Sequence, residues 1–378
     1  MLREHTAGRR AELLALAEAL VNLETPSGDK PRCDALADQI AARFAPLGAV
    51  ERVANPAGGD HVRVRVAAPG APADARPALV LCHYDTVWPA GTVAARPVRV
   101  EGDTAYGPGL YDMKVSIAMA ELALRAAAEL GLPLPRPVIL LFTSDEEIGS
   151  PTSRELIEAT ARGCAHVLVL EPPVEPTGAL KTARKGGGAF YVDVSGRAAH
   201  AGVEPEQGRS AIAELAHQIL AVGALADPAA GTTLNVGVVR GGSGRNVVPA
   251  EAHMEIDVRV WTRAEAERVE RAMAGLAPVT PDVRLAVRGG LNRPPMEPTP
   301  ASAALFAQAR AIGAELGLDL AEGRTGGGSD GNFTSAAGAP TLDGLGAPGR
   351  GAHAEHEQID VPGALGRLAL LTALLTRL

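Results

Sequence analysis

ALVLCHYD, residues 78–85, is a short unbroken apolar run that ends on a histidine followed, two positions on, by an aspartate. A strand with one wet face alternates apolar and polar residues. A continuous run of this length belongs in the middle of a parallel sheet, covered on both faces. VILLFT (138–143) and AHVLVL (165–170) have the same character. Between the first two runs, MKVSIAMAELALRAAAEL (113–130) reads as an apolar-rich helix closed by Gly131 and Pro133. Between the second and third, SRELIEATARG holds a helical period that stops at Gly163. Strand–helix–strand units at this spacing imply right-handed crossovers. The expected fold is α/β, with a doubly wound, mostly parallel sheet and helices on both faces. Upstream, helices are expected at roughly 8–22 and about 31–46, ahead of the more polar strand HVRVRVAA (61–68).

The pattern changes after residue 180. GGAFYVDVSG (187–196) alternates as a half-exposed strand, and SAIAELAHQILAVGAL (210–225) is a helix. TTLNVGVVRGG and VVPAEAHMEIDVRVW suit an antiparallel pair; RAEAERVERAMAGL is helical and DVRLAVRG a final strand. That is β-α-β-β-α-β, a two-layer unit. The doubly wound pattern then resumes with a helix at 300–316, a glycine-rich turn at 326–331, a strand near 340–345 and a last helix over 361–378. The chain is therefore divided into a first part of the doubly wound domain (1–183), an inserted domain (184–291) and a second part of the doubly wound domain (292–378).

Composition sets outer limits. With 46% hydrophobic and 21% charged residues in 378, the chain can bury a core and is no disordered segment. A net charge of −8, no basic cluster and only 3% aromatic residues exclude a nucleic-acid binder. No run approaches the roughly 18 apolar residues of a membrane span. The N-terminus has dispersed charges and a helical period rather than a secretory apolar core, and the three cysteines are far apart in apolar contexts. A cytoplasmic protein with reduced thiols is expected.

The chemistry lies at the strand ends. His83 and Asp85 close the first buried strand, Glu146 and Glu147 follow the second, Glu171 ends the third, and His353 lies in a loop after the strand near Leu342. Ligands of open α/β sheets bind beyond the carboxyl ends of the strands, so these groups converge on one crevice. Asp112, in YGPGLYDMK, sits where a glycine-rich loop meets a helix and can reach the same place. Two imidazoles with three or four carboxylates and no cysteine suit Zn, Mn or Co. So much negative charge in a cleft is easier to balance with two cations than with one, and Asp112 is the natural bridge. His-x-Asp places both side chains on one face of a strand, so that Asp85 can hold the His83 N–H. Glu146 and Glu147 would point opposite ways if extended, one toward metal and one toward substrate as a base. Taken singly each feature has an ordinary structural reading; their joint placement at strand ends does not. RGGSGR is no phosphate loop, because no helix follows it, and GGGSDG reads as a turn or a close backbone approach to substrate. No Gly-x-Gly-x-x-Gly turn follows the first strand, which argues against a dinucleotide site.

In this order, HYDTV, YGPGLYDMK, SDEE, LEPP, SGRAAHAG, GRNVVPA with DVR, GGGSD and GAHAEHE resemble the zinc-dependent exopeptidase family of glutamate carboxypeptidase, aminoacylase, dipeptidases and succinyl-diaminopimelate desuccinylase. The glutamate carboxypeptidase branch is the most similar. The resemblance implies two Zn²⁺ per subunit, with Co²⁺ or Mn²⁺ as substitutes. His83 and Glu171 would hold one ion and Glu147 and His353 the other, with Asp112 and a hydroxide bridging. It further implies Glu146 as general base, Asp85 as orienting partner, and the inserted domain as a lid that forms a homodimer. His200 would reach the partner subunit's site and stabilise the oxyanion. Asn246 and Arg259 would hold the substrate's terminal carboxylate beside the backbone of Gly327 and Gly328. Lys181, with Ala183 at the neighbouring hydroxyl position, and Arg293 fall near the side-chain pocket. The implied reaction is release of a C-terminal amino acid, glutamate among the options, from a small peptidyl or N-acyl substrate. An N-acyl-amino-acid deacylase or dipeptidase, and a catalytically silent metal- or amino-acid-binding relative, are the alternatives.

Overall fold

Five strands of the first unit are β1 (Ala49–Val53), β2 (His61–Val66), β3 (Ala78–His83), β4 (Val138–Thr143) and β5 (His166–Val169). With Thr341–Leu342 they form one sheet in the order β1-β2-β4-β3-β5-(341–342). β3 runs parallel to both β4 and β5, and β5 parallel to 341–342, whereas β2 meets β4 and β1 antiparallel. The absence of alternation in β3 now has its cause. Val80 and Cys82 pack into a core with helices Val115–Glu129 and Val361–Arg377, while Leu79 and Leu81 pack on the other face with Ile157, Ala161 and Phe333. The computed structural model describes residues 1–378.

The chain divides into two compact units, 1–183 with 298–325 and 329–378, and 184–297 with 326–328. The second unit extends past the expected residue 291 because the chain beyond its last strand stays bonded within it. Met296 exchanges backbone hydrogen bonds with Arg184, and Glu297 accepts from the Arg263 N–H. Gly326–Gly328 joins it through the Arg184 guanidinium, whose Nη1 donates to the carbonyls of Gly327 at 3.2 Å and Gly328 at 3.1 Å.

In the second unit β6 (Gly186–Ser195), β7 (Thr233–Gly241), β8 (Glu251–Val260) and β9 (Arg284–Arg293) pair antiparallel in the order β7-β8-β6-β9. Helices Ala211–Gly223 and Arg263–Ala274 start at the N-caps Ser210 and Thr262, whose hydroxyls accept the N–H groups of Ala213 and Glu265. They bury Leu215, Val222, Val269 and Met273 against Val192, Met254, Ile256 and Val258.

One buried carboxylate matters to this unit's stability. Glu214 accepts the N–H groups of Val279 and Thr280 and the amide of Gln218. Burial opposes the charge, but these donors prevail and hold the pKa down from 4.5 to about 2. A group depressed in the folded state contributes stability above its ordinary pKa and loses it as pH falls through 4.5 toward 2. Glu214→Ala is therefore expected to cost about 3 kcal/mol at pH 7. Urea unfolding with amide exchange of the second unit measures this, and the gap to wild type should shrink below about pH 4.

Candidate metal centre

Every strand-end group expected to bind metal lies in the first unit. Asp112 is central: Oδ1 is 3.1 Å from His83 Nε2, and Oδ2 is 3.5 Å from His353 Nε2. On the His83 side, Glu171 Oε1 lies 3.5 Å from the same Nε2. On the other, Glu147 Oε2 is 3.0 Å from His353 Nε2. The potential ligand atoms of His83, Asp112 and Glu147, and separately of His83, Glu146 and Glu171, lie within 4.8 Å of one another. Glu146 thus faces the His83–Glu171 side.

The fit to cations can be read from the electrostatics. Burial opposes a charge on His83, yet hydrogen bonds to Asp112, Asp85 and Glu171 raise its pKa well above 6.5. His353 is pushed to about 10 by Asp112 and Glu147. Burial raises Glu147. Its side chain is 5% exposed, and Oε1 has no hydrogen-bond partner. A buried oxygen without a donor beside a second carboxylate is the environment that a cation relieves. The all-oxygen-and-imidazole set fits two hard-to-borderline divalent ions.

Two details differ from the reading of the sequence. The His83 Nδ1–H donates to the backbone carbonyl of Asp85 at 3.0 Å, with the Asp85 carboxylate 3.5 Å away. That carboxylate, fully buried, instead accepts from Ser27 Oγ and from the N–H groups of Glu146 and Glu147. Asp85 therefore orients both the imidazole and the Glu-Glu turn. Glu146–Ile148 is a 3₁₀ turn rather than an extended segment, and its three residues per turn separate the two carboxylates.

Glu357 is the residue that sequence reading missed. It is 2% exposed, and its two oxygens accept from the N–H groups of Gly109, Tyr111 and Asp112 and from Trp88 Nε1. Burial raises its pKa to about 7 despite these donors. It fixes the loop that presents Asp112. Gly109, with φ +71°, turns that loop, and a Cβ there would meet Thr86 Cγ2 at 2.6 Å. Lys114 is buried, donates to the Leu23 carbonyl at 2.7 Å, and is pulled down to about 7 by burial. His353 has φ +62°, a left-handed conformation uncommon outside functional positions and turns.

The expected substrate residues are divided. Lys181 is buried in the first unit, where its backbone pairs with Asp343. His200, Asn246, Arg259, Arg293, Gly327 and Gly328 belong to the second. There His200 pairs with Val247, and the Ala201 N–H donates to the Asn246 carbonyl, so His200 and Asn246 are neighbours. The Gly202 N–H donates to His200 Nδ1 at 3.1 Å, which leaves the proton on Nε2. Arg259 and Arg293 stand in register on either side of Gly187, and a Cβ on Gly187 would come within 2.9 Å of Arg259 Nη1. The Arg259 fork grips the Asp257 carboxylate through Nε and Nη2 at 3.1 and 3.0 Å.

Comparison with known proteins gives the family. The family model described as Peptidase family M20/M25/M40 matches residues 79–377. Carboxypeptidase G2 of Pseudomonas sp. (strain RS-16) is 32% identical over 95% of this chain and 87% of its own length. Succinyl-diaminopimelate desuccinylase of Verminephrobacter eiseniae is 31% identical over 92% of this chain and 91% of its own. Among solved structures, aminopeptidase PepT of Bacillus cereus shares the fold with a TM-score of 0.78 at 20% identity, covering 97% of this chain and 98% of that one. A Bacillus subtilis protein described as a dinuclear metal-binding peptidase of the M20 family superposes with a TM-score of 0.67 at 18% identity, with 98% of each chain covered. The extent of these matches and the converging ligand set lead to one conclusion: the chain belongs to peptidase family M20/M25/M40 and is a metallopeptidase or amidohydrolase of that family.

Proposed function

We propose that the protein is a di-metal amidohydrolase that releases a C-terminal amino acid, glutamate among the options, from small peptidyl or N-acyl substrates. The observation that supports it best is Asp112, whose two oxygens face His83 and His353 separately. His83 with Glu171, and His353 with Glu147, would hold one cation each, zinc by preference and cobalt or manganese as substitutes. Bound there, a pair of divalent ions acidifies water and polarises the scissile carbonyl. Glu146 takes the proton from the attacking water and returns it to the leaving amine nitrogen. Asp85 keeps His83 in the tautomer whose Nε2 is a ligand. In the homodimer proposed here, a second copy's His200 donates a hydrogen bond from its Nε2–H to the developing oxyanion.

The Arg259 fork, already shaped around the Asp257 carboxylate, is the proposed grip on the substrate's terminal carboxylate, with Asn246 beside it. The 32% identity to carboxypeptidase G2 favours the carboxypeptidase reading. The desuccinylase relative supports the second reading, an N-acyl-amino-acid deacylase or dipeptidase. A panel of N-benzoyl, N-acetyl, N-succinyl and dipeptide substrates, assayed with zinc, cobalt and manganese, separates these readings. Converting the substrate's terminal carboxylate to an amide is expected to lower kcat/KM roughly 10²-fold. Arg259→Lys should reproduce most of that loss, chiefly through KM, on the acid and little of it on the amide. Equal turnover of acid and amide by wild type would remove the carboxylate grip.

A further inference from the structure

The last helix of the first unit, Val361–Arg377, is buried over most of its length, with Leu368, Leu370 and Leu371 in the core. Arg367 interrupts that apolar surface. It is 5% exposed; its Nη2 donates to the Gly178 carbonyl, and its Nη1 is buried with no hydrogen-bond partner. It forms no ion pair. Burial alone acts on its charge and lowers its pKa to about 10, with no carboxylate opposing the shift. A buried guanidinium without a counterion is costly, and such charges are ordinarily paired.

The same side chain lines a cavity of about 230 Å³, together with Pro173, Thr177, Gly178, Asp319 and Gly349. Water occupies about 30 Å³ in the liquid, so this space admits a ligand of several heavy atoms. Asp319, exposed on the lining, is the one carboxylate among these residues. None of the lining residues belongs to the proposed metal centre, although Pro173 follows Glu171 by two positions and Gly349 precedes His353 by four.

We infer that this cavity binds a small oxyanion, a carboxylate or a phosphate, which serves as the counterion of the Arg367 guanidinium. The anion would sit against the planar fork that suits two acceptor oxygens. It would be independent of substrate held at the metals.

Calorimetric titration and thermal unfolding of the zinc-loaded protein test this, with acetate, L-glutamate and inorganic phosphate as separate probes and chloride at equal ionic strength as control. Wild type should show a saturable binding component and a Tm rise of roughly 5 °C at hundredfold excess over Kd. The probe that binds tightest identifies the source of the anion. Arg367→Met should lose that component, keep any anion binding at the metals, and retain activity in anion-free buffer within about twofold, because an apolar side chain of similar length replaces an unpaired charge. Asp319→Asn leaves the buried arginine in place and should tighten the same component several-fold by removing a like charge from the lining. The inference is overturned if none of the three oxyanions binds saturably, if chloride matches them, or if the component survives in Arg367→Met and is unmoved in Asp319→Asn.

Discussion

Glu146→Gln is expected to lower kcat by roughly 10²–10⁴-fold with the metal content unchanged. The glutamine keeps the side chain's shape and one acceptor oxygen, but its amide cannot take a proton from water or carry one to the leaving nitrogen. The position of Glu146 makes this result informative. It lies in the same 4.8 Å group as His83 and Glu171, so its carboxylate could serve either as a base or as a ligand. Metal analysis separates the roles. A base leaves stoichiometry intact while activity falls; a ligand takes one ion with it. Turnover within tenfold of wild type, at full metal content, would withdraw the proton-transfer role. The turn itself should survive, since the Glu146 N–H is held by Asp85 whatever the side chain.

Removing Asp112 should have the largest effect on metal content. Asp112→Ala is expected to weaken both cation sites together and to reduce activity by roughly 10³-fold or more, about 4 kcal/mol of transition-state stabilisation. Its oxygens face two different imidazoles, whereas the imidazole contact of Glu171 is with His83 and that of Glu147 with His353. The contrast is the measurement. Glu171→Ala and Glu147→Ala should each lose about one ion and keep the other, while Asp112→Ala should fall well below one. If Asp112→Ala still holds two ions with wild-type affinity, the shared-carboxylate arrangement is wrong. Glu357 enters through the same residue. Glu357→Ala removes the acceptor for the Gly109, Tyr111 and Asp112 N–H groups and should weaken metal binding some 10–100-fold, with Glu357→Gln recovering part of it. Titration with a competing chelator measures both.

How far the sequence reaches can be judged from particular residues. The buried strands ALVLCH, VILLFT and AHVLVL are legible because a strand covered on both faces has no polar position to fill. Their ends then locate His83, Glu146, Glu147 and Glu171, since parallel strands bring their carboxyl ends to one edge of the sheet. The small antiparallel sheet of Arg99–Glu101, Thr104–Tyr106, Gly349–Arg350 and Gln358–Asp360 escapes notice. Its strands are two or three residues long, too short for a period to declare itself.

The sequence by itself determined the α/β alternation, the antiparallel second unit and the residue types at the strand ends. All of these are written in local periodicity and in side-chain chemistry. Only the tertiary structure decided how those residues divide the work. The backbone carbonyl of Asp85, not its carboxylate, holds the His83 imidazole most closely. Glu357 braces a loop some 246 positions away, and Asp112 stands between two histidines that are 270 residues apart in the chain. Arg367 is left with a buried, unpartnered nitrogen in the midst of an apolar helix. Each of these depends on the direction of one hydrogen bond or the absence of one partner across long sequence separations. Hydrophobic patterning fixes which faces are buried, but it leaves open which atom of a buried polar group meets which donor.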